Sequence, residues 1–182
     1  ESARGVPANW QAGVAKAILT PEKGVWLAGY GSQRPPDGKL HDLWMKALAL
    51  EDTGGRRAVL ITSDFQGVPK DVSDRVFEQM RREFGLERRQ VMLTFSHNHC
   101  GPRLGDDLFD YYPGEPGQGE VVNEYTALME TRLVAMVGDA LAKLAPASLR
   151  IGEGRATFAV NRRNNREAEV PALLAQGTPL KG

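Results

Sequence analysis

Residues 57–95 read RAVLITSDFQGVPKDVSDRVFEQMRREFGLERRQVMLTF, and the hydrophobic pattern changes period twice within them. Ala58-Val59-Leu60-Ile61 is a short apolar run closed by the polar pair Ser63-Asp64, which predicts a strand over residues 57–62. Over residues 69–84, Val72, Val76, Met80 and Phe84 recur every four positions, one face of a helix, and Gly85 is a natural C-terminal stop. Val91-Met92-Leu93-Thr94-Phe95 is a second apolar run. A strand, a helix and a strand in so short a stretch predict a right-handed βαβ crossover with parallel strands.

Working outward, residues 10–18 alternate loosely and stop at Thr20-Pro21, a first strand. Residues 24–39 are dense in Gly and Pro and predict a loop. Residues 43–50 form a strand that enters the 57–62 strand through the tight turn Asp52-Thr53-Gly54-Gly55, a hairpin signal. Residues 101–119 predict a long loop, and such loops tend to be functional or disordered. Residues 123–144 carry a second amphipathic helix that ends before Pro146. A further strand or pair of strands is expected over residues 148–160, bent at Gly152 and Gly154. Residues 162–182 show no closing helix or strand. The fold class expected is α/β, a mixed sheet with a βαβ crossover and flanking helices.

The 182 residues suffice for one domain with a real core. Lys+Arg and Asp+Glu both number 23, a net charge of zero that argues against a nucleic-acid partner. No apolar run approaches the ~18 residues that span a bilayer. The single cysteine, Cys100, excludes an intrachain disulfide and a cysteine-based zinc knuckle. The chain opens on Glu1 rather than Met, and a secreted or periplasmic location is expected on that ground.

Ligands of open α/β sheets bind outside the carboxyl ends of the strands. Two polar clusters fall there: Ser63-Asp64, and Ser96-His97-Asn98-His99-Cys100-Gly101-Pro102. With strand geometry continued, His97 and His99 present their imidazoles on one face, a pairing that suits a divalent metal such as zinc. Asp64 is a candidate metal ligand, a partner orienting a histidine, or a helix N-cap. His41 and Asp42 are equally structural or catalytic in character. Cys100 should point away from the histidines and fill packing space. Ser63 and Ser96 lack a nucleophile elbow, and no phosphate-cradling glycine loop is present. The basic stretch Arg162-Arg163-Asn164-Asn165-Arg166 is a solvated surface or supplies one Arg to a substrate oxygen. Two histidines leave a zinc site incomplete. Either Asp64 and residues such as Asp106 or Asp107 complete it, or the missing ligands lie beyond Gly182.

These motifs, in order, resemble the neutral/alkaline non-lysosomal ceramidases at the start of their N-terminal catalytic domain. The resemblance rests on Ala12-Gly13-Val14-Ala15-Lys16-Ala17-Ile18-Leu19-Thr20-Pro21, Gly29-Tyr30, Leu40-His41-Asp42, Leu60-Ile61-Thr62-Ser63-Asp64, the His97–Pro102 element and Asn161-Arg162. It implies a zinc-dependent hydrolase of an N-acyl amide bond in a ceramide-like lipid. His97 would be a zinc ligand, His99 would assist the reacting water or substrate oxygen, and Arg162 would contact substrate. Another His, a Glu and a Tyr from later sequence would complete the zinc site. Residues 1–182 are then a single domain, the N-terminal portion of a larger catalytic domain. The partner implied is a small-molecule or lipid amide, met at a membrane surface in the lipid case. Cys100 stands where the family usually has Ser, and Arg163 stands where Ser commonly follows Asn-Arg, which points to a ceramidase-like branch. Two other readings stay open: a metallohydrolase of esters or phosphoesters using Asp64, His97 and His99, and a non-enzymatic domain with a relic histidine pair.

Overall fold

The computed structural model describes residues 9–105, 116–156, 161 and 164–181. It divides into two compact units, Glu1–Leu149 and Arg150–Gly182. In the first, the strands β1 (Trp10–Ile18), β2 (Trp44–Asp52), β3 (Arg57–Ser63), β4 (Val91–Phe95) and β5 (Ala145–Ala147) form one sheet in the order β4-β3-β2-β1-β5. Helix α1 (Lys70–Phe84) links β3 to β4, and α2 (Gln118–Ala142) precedes β5. Among the described strands only β3 and β4 run parallel, from Val59 opposite Val91 to Ser63 opposite Phe95, and the remaining pairs are antiparallel. The mixed α/β sheet and its βαβ crossover are thus the ones the sequence predicts.

Local chemistry explains the joints. The Asp52 carboxylate accepts the amides of Gly54 and Arg56, each at 2.9 Å, and closes the β2–β3 turn. These bonds, the Arg56 amide foremost, hold that carboxyl below its ordinary pKa. Gly85 ends α1 in the left-handed conformation (φ 67°), its amide returning to Arg81 while that of Leu86 returns to Met80. Arg75 on α1 donates to Glu130 on α2 through two nitrogens, at 3.0 and 2.7 Å.

Three boundaries differ from expectation. Helix α2 begins at Gln118, not Asn123, with Gly117 (φ 85°) in the preceding position. Glycines that read as loop lie at its start, and burial of Val122 secures the early turn. The strand expected over residues 148–160 lies earlier, at Ala145–Ala147, paired to β1 with Pro146 opposite Gln11. Pro146 is tolerated because β5 is the last strand of the sheet among the described residues. Residues 148–156 form no strand, and 157–160 lie outside the described residues. In the second unit, residues expected to lack a helix form α3 (Val170–Ala175). There the buried Asn165 side chain donates to the carbonyls of Asn161 and Lys181, both at 2.8 Å, and accepts the Lys181 amide.

The core of the first unit gathers Met45, Ala47 and Ala49 of β2 and Val59 and Ile61 of β3 with the apolar stripes of α1 and α2. The opposite face of the sheet is different. Its cross-strand row Val14, Leu48, Leu60 and Met92 follows directly from the register. Val14 and Met92 are 65% and 63% exposed. An open apolar row of this kind marks an association surface. The 182-residue chain should bind an apolar fluorescent dye and self-associate with rising concentration. Replacing Val14 and Met92 together by Lys should suppress both, with stability changed by only about 0.5 kcal/mol per site. Absence of dye binding by the unmodified chain would contradict this.

Across the core, the Tyr125 hydroxyl donates to the Leu19 carbonyl at 2.5 Å. Burial pushes its pKa above the ordinary tyrosine value, so it stays a donor throughout the working pH range. Tyr125→Phe should leave that carbonyl unpaired and cost about 1–3 kcal/mol in urea unfolding. An unshifted midpoint would refute the assignment.

Candidate functional site

The parallel pairing of β3 and β4 sets two strand ends side by side, and the ladder runs one step further through the Ser96 amide to Ser63 O at 2.9 Å. There the chain turns sharply. His97 has φ 55°, alone among the described non-glycine residues in being positive, a conformation costing about 1–3 kcal/mol. Strand geometry therefore stops at Phe95, contrary to the expectation that placed both imidazoles by alternation. The loop is held by its neighbours instead. Asn98 Oδ1 accepts the Cys100 amide at 2.8 Å, the Gly101 carbonyl accepts the Ala28 amide at 3.0 Å, and Leu27 bridges Pro102.

The imidazoles nevertheless converge. Their Nε2 atoms are 3.2 Å apart and the ring centroids 4.9 Å, inclined at 70°. His97 Nδ1 lies 2.8 Å from the Gln66 carbonyl. A carbonyl only accepts, so Nδ1 carries the proton and Nε2 presents a lone pair. That lone pair is what the second imidazole meets, so His99 donates through Nε2–H. His99 packs edge-on to Tyr30 (centroids 4.8 Å), while Gly29 lies beneath its ring. Any Cβ at Gly29 would stand 2.4 Å from His99 Cγ, and its φ of 99° also favours glycine.

The residues present fit a zinc ion in part. His97 Nε2 presents a lone pair that fits zinc, and His99 Nε2–H, which meets that lone pair at 3.2 Å, would turn to another acceptor when the ion is bound. A histidine ligand typically donates its other ring N–H to a carbonyl, as His97 does to Gln66. Among the described residues no third His, Cys, Asp or Glu joins the pair. Asp64 is committed elsewhere: its Oδ2 accepts the Trp44 amide at 2.8 Å and its own amide donates to Trp44 O, tying the end of β3 to the start of β2. It caps no helix, since Pro69 precedes α1. Asp106, Asp107, Arg162 and Arg163 lie outside the described residues.

The remaining candidates are placed apart from the pair. His41 Nδ1 meets the Asp42 carbonyl at 3.0 Å. Asp42 pairs with Lys39 at 2.9 Å, and bonds from Lys39 and then Thr20 hold its carboxyl below the ordinary value. Both residues line an open groove of about 1590 Å3 that also takes in Asn98, Cys100 and Pro102, but neither His97 nor His99. Cys100 is exposed, not a packing residue, because the Asn98 turn carries it outward. Residues that sequence reasoning did not assign to the pair are Gln66, Tyr30 and Arg34. The Gly29-Tyr30 pair was a signal in the sequence for this contact.

A family model described as neutral/alkaline non-lysosomal ceramidase, N-terminal, matches residues 10–168. Comparison with curated proteins finds no match. A solved ceramidase complexed with C2 is 25% identical with a TM-score of 0.63, over 78% of this chain and 22% of that one. The neutral ceramidase from Pseudomonas aeruginosa is 24% identical, with the same TM-score and the same coverage. The chain thus spans about a fifth of the length of those ceramidases. With the matched region running from β1 past the histidine loop, the chain belongs to the neutral/alkaline non-lysosomal ceramidase family.

Proposed function

We propose that this chain contributes the first metal ligand of a zinc-dependent hydrolase that cleaves an N-acyl amide bond in a ceramide-like lipid. The observation that carries it is the convergence of His97 and His99, with Nε2 atoms 3.2 Å apart and His97 Nδ1 fixed on Gln66 O. The tautomers suggest a division of labour. His97 offers a lone pair and would hold zinc, while His99 offers Nε2–H and would donate to the substrate carbonyl oxygen as negative charge develops there. When bound, zinc would supply Lewis-acid polarisation and a water of pKa near ~7. Arg162, by resemblance, would contact the substrate, and further ligands would come from outside the described residues.

The family assignment favours amide over ester or phosphoester cleavage. An alternative centre built on Asp64 with the two histidines lacks support, since among the described residues no third His, Cys, Asp or Glu gathers with the pair.

Zinc titration into the complete catalytic chain, with a competing chelator, tests the ligand assignment. His97→Ala should weaken zinc by about tenfold or more. Asp64→Asn should leave it unchanged. Equal affinity in His97→Ala and the parent would overturn the reading. In the complete catalytic chain, hydrolysis of an N-acyl amide lipid should fall with His97→Ala and His99→Ala alike.

A further inference from the structure

Each imidazole is anchored to a different segment. His97 is held through its ring by Gln66 O, at the end of β3. His99 is held by the loop of residues 27–34, whose ends are joined by the Leu27 amide and the Arg34 carbonyl at 2.9 Å. Within that loop the Arg34 side chain reaches the histidine segment. Arg34 Nη1 donates to the Ala28 carbonyl at 3.2 Å and to the His99 carbonyl at 2.9 Å. Its guanidinium lies 4.7 Å over the Tyr30 ring, and the Tyr30 ring meets His99 edge-on. Arg34 therefore acts on His99 twice, at the backbone directly and at the imidazole through Tyr30. Gly29 sets how close the imidazole comes to this loop.

The chemistry calls for arginine. A planar guanidinium stacks on an aromatic face while its N–H groups reach two carbonyls in fixed directions, and an ammonium does not reproduce that geometry. Bonds from a charged donor to carbonyls are also stronger than neutral ones.

We propose that Arg34 is a positioning residue for His99: through the His99 carbonyl and the Tyr30 ring it holds the imidazole so that Nε2–H points at the metal-facing side of His97. The functional part of this rests on the zinc-hydrolase reading, whereas the geometric part does not.

The test reads the imidazoles directly in the 182-residue chain, by nitrogen-resolved proton NMR of histidine side chains. In Arg34→Ala, the His99 Nε2–H proton should exchange with water about tenfold faster. The His97 Nδ1–H proton, held by Gln66, should keep its parent rate. Arg34→Lys should behave like Arg34→Ala, because the stack is lost although charge is kept. Tyr30→Leu should give a partial acceleration, since the carbonyl bond survives. Far-UV circular dichroism and the thermal midpoint should stay at parent values in all three. If Arg34→Ala destabilises the fold, Arg34→Lys serves instead, keeping a charge in the loop while losing the planar stack on Tyr30. An unchanged His99 exchange rate in a folded Arg34→Ala or Arg34→Lys chain would overturn the proposal. So would equal acceleration at both histidines. Zinc affinity separates the two levels. Insensitivity to His97→Ala sinks the metal reading, while the exchange rates still decide the role of Arg34.

Discussion

Register between β3 and β4 is the constraint on which the site depends. Five parallel pairs, from Val59 and Val91 to Ser63 and Phe95, bring two chain reversals to the same border of the sheet. A parallel pair needs a crossover, which α1 supplies, and its buried face contributes to the core. The Ser96 amide extends the ladder by one bond, and only after it does the chain twist into the left-handed conformation at His97. Slipping the register by one residue would turn every β4 side chain over and move His97 away from Gln66.

Around that border, polar groups are spent on joints more than on chemistry. Asp64 ties β3 to β2, Thr20 Oγ1 accepts the Leu43 amide, and Asp42 pairs with Lys39. The two histidines stand out because their remaining nitrogens face each other instead of backbone. Backbone strain at a non-glycine residue is retained where the surroundings over-determine it, and His97 has such surroundings in Gln66, His99 and the Asn98 turn.

Much of the fold was legible because its signals are local. The β1 to β4 stretch combines apolar runs, a four-residue helical period and glycine or aspartate turns, and these elements form where the patterns place them. What escaped has a common cause. Strand β5 is three residues long and contains Pro146, so no alternation could announce it. The start of α2 is obscured by Gly117 and Gly119, and α3 is too short for a period to show. At the site, His-x-His was readable as a pair of donors, but the cause of their convergence was not. That cause lies in a backbone carbonyl at Gln66 and in an Arg34 contact spanning 65 positions, neither of which leaves a pattern.

Among the described strands, the two borders of the sheet are unequal in another respect. On one side β5 offers three residues, and its central Pro146 has no N–H to give. On the other, β4 is five residues long and one of its carbonyls, that of Val91, is already taken by Arg88. Short or proline-bearing borders resist recruitment of a further strand from another molecule. Encounters between copies of this 182-residue chain are thereby steered away from edge-to-edge hydrogen bonding, the geometry that propagates into fibres. They are left to side-chain burial, which is reversible and limited by the area available.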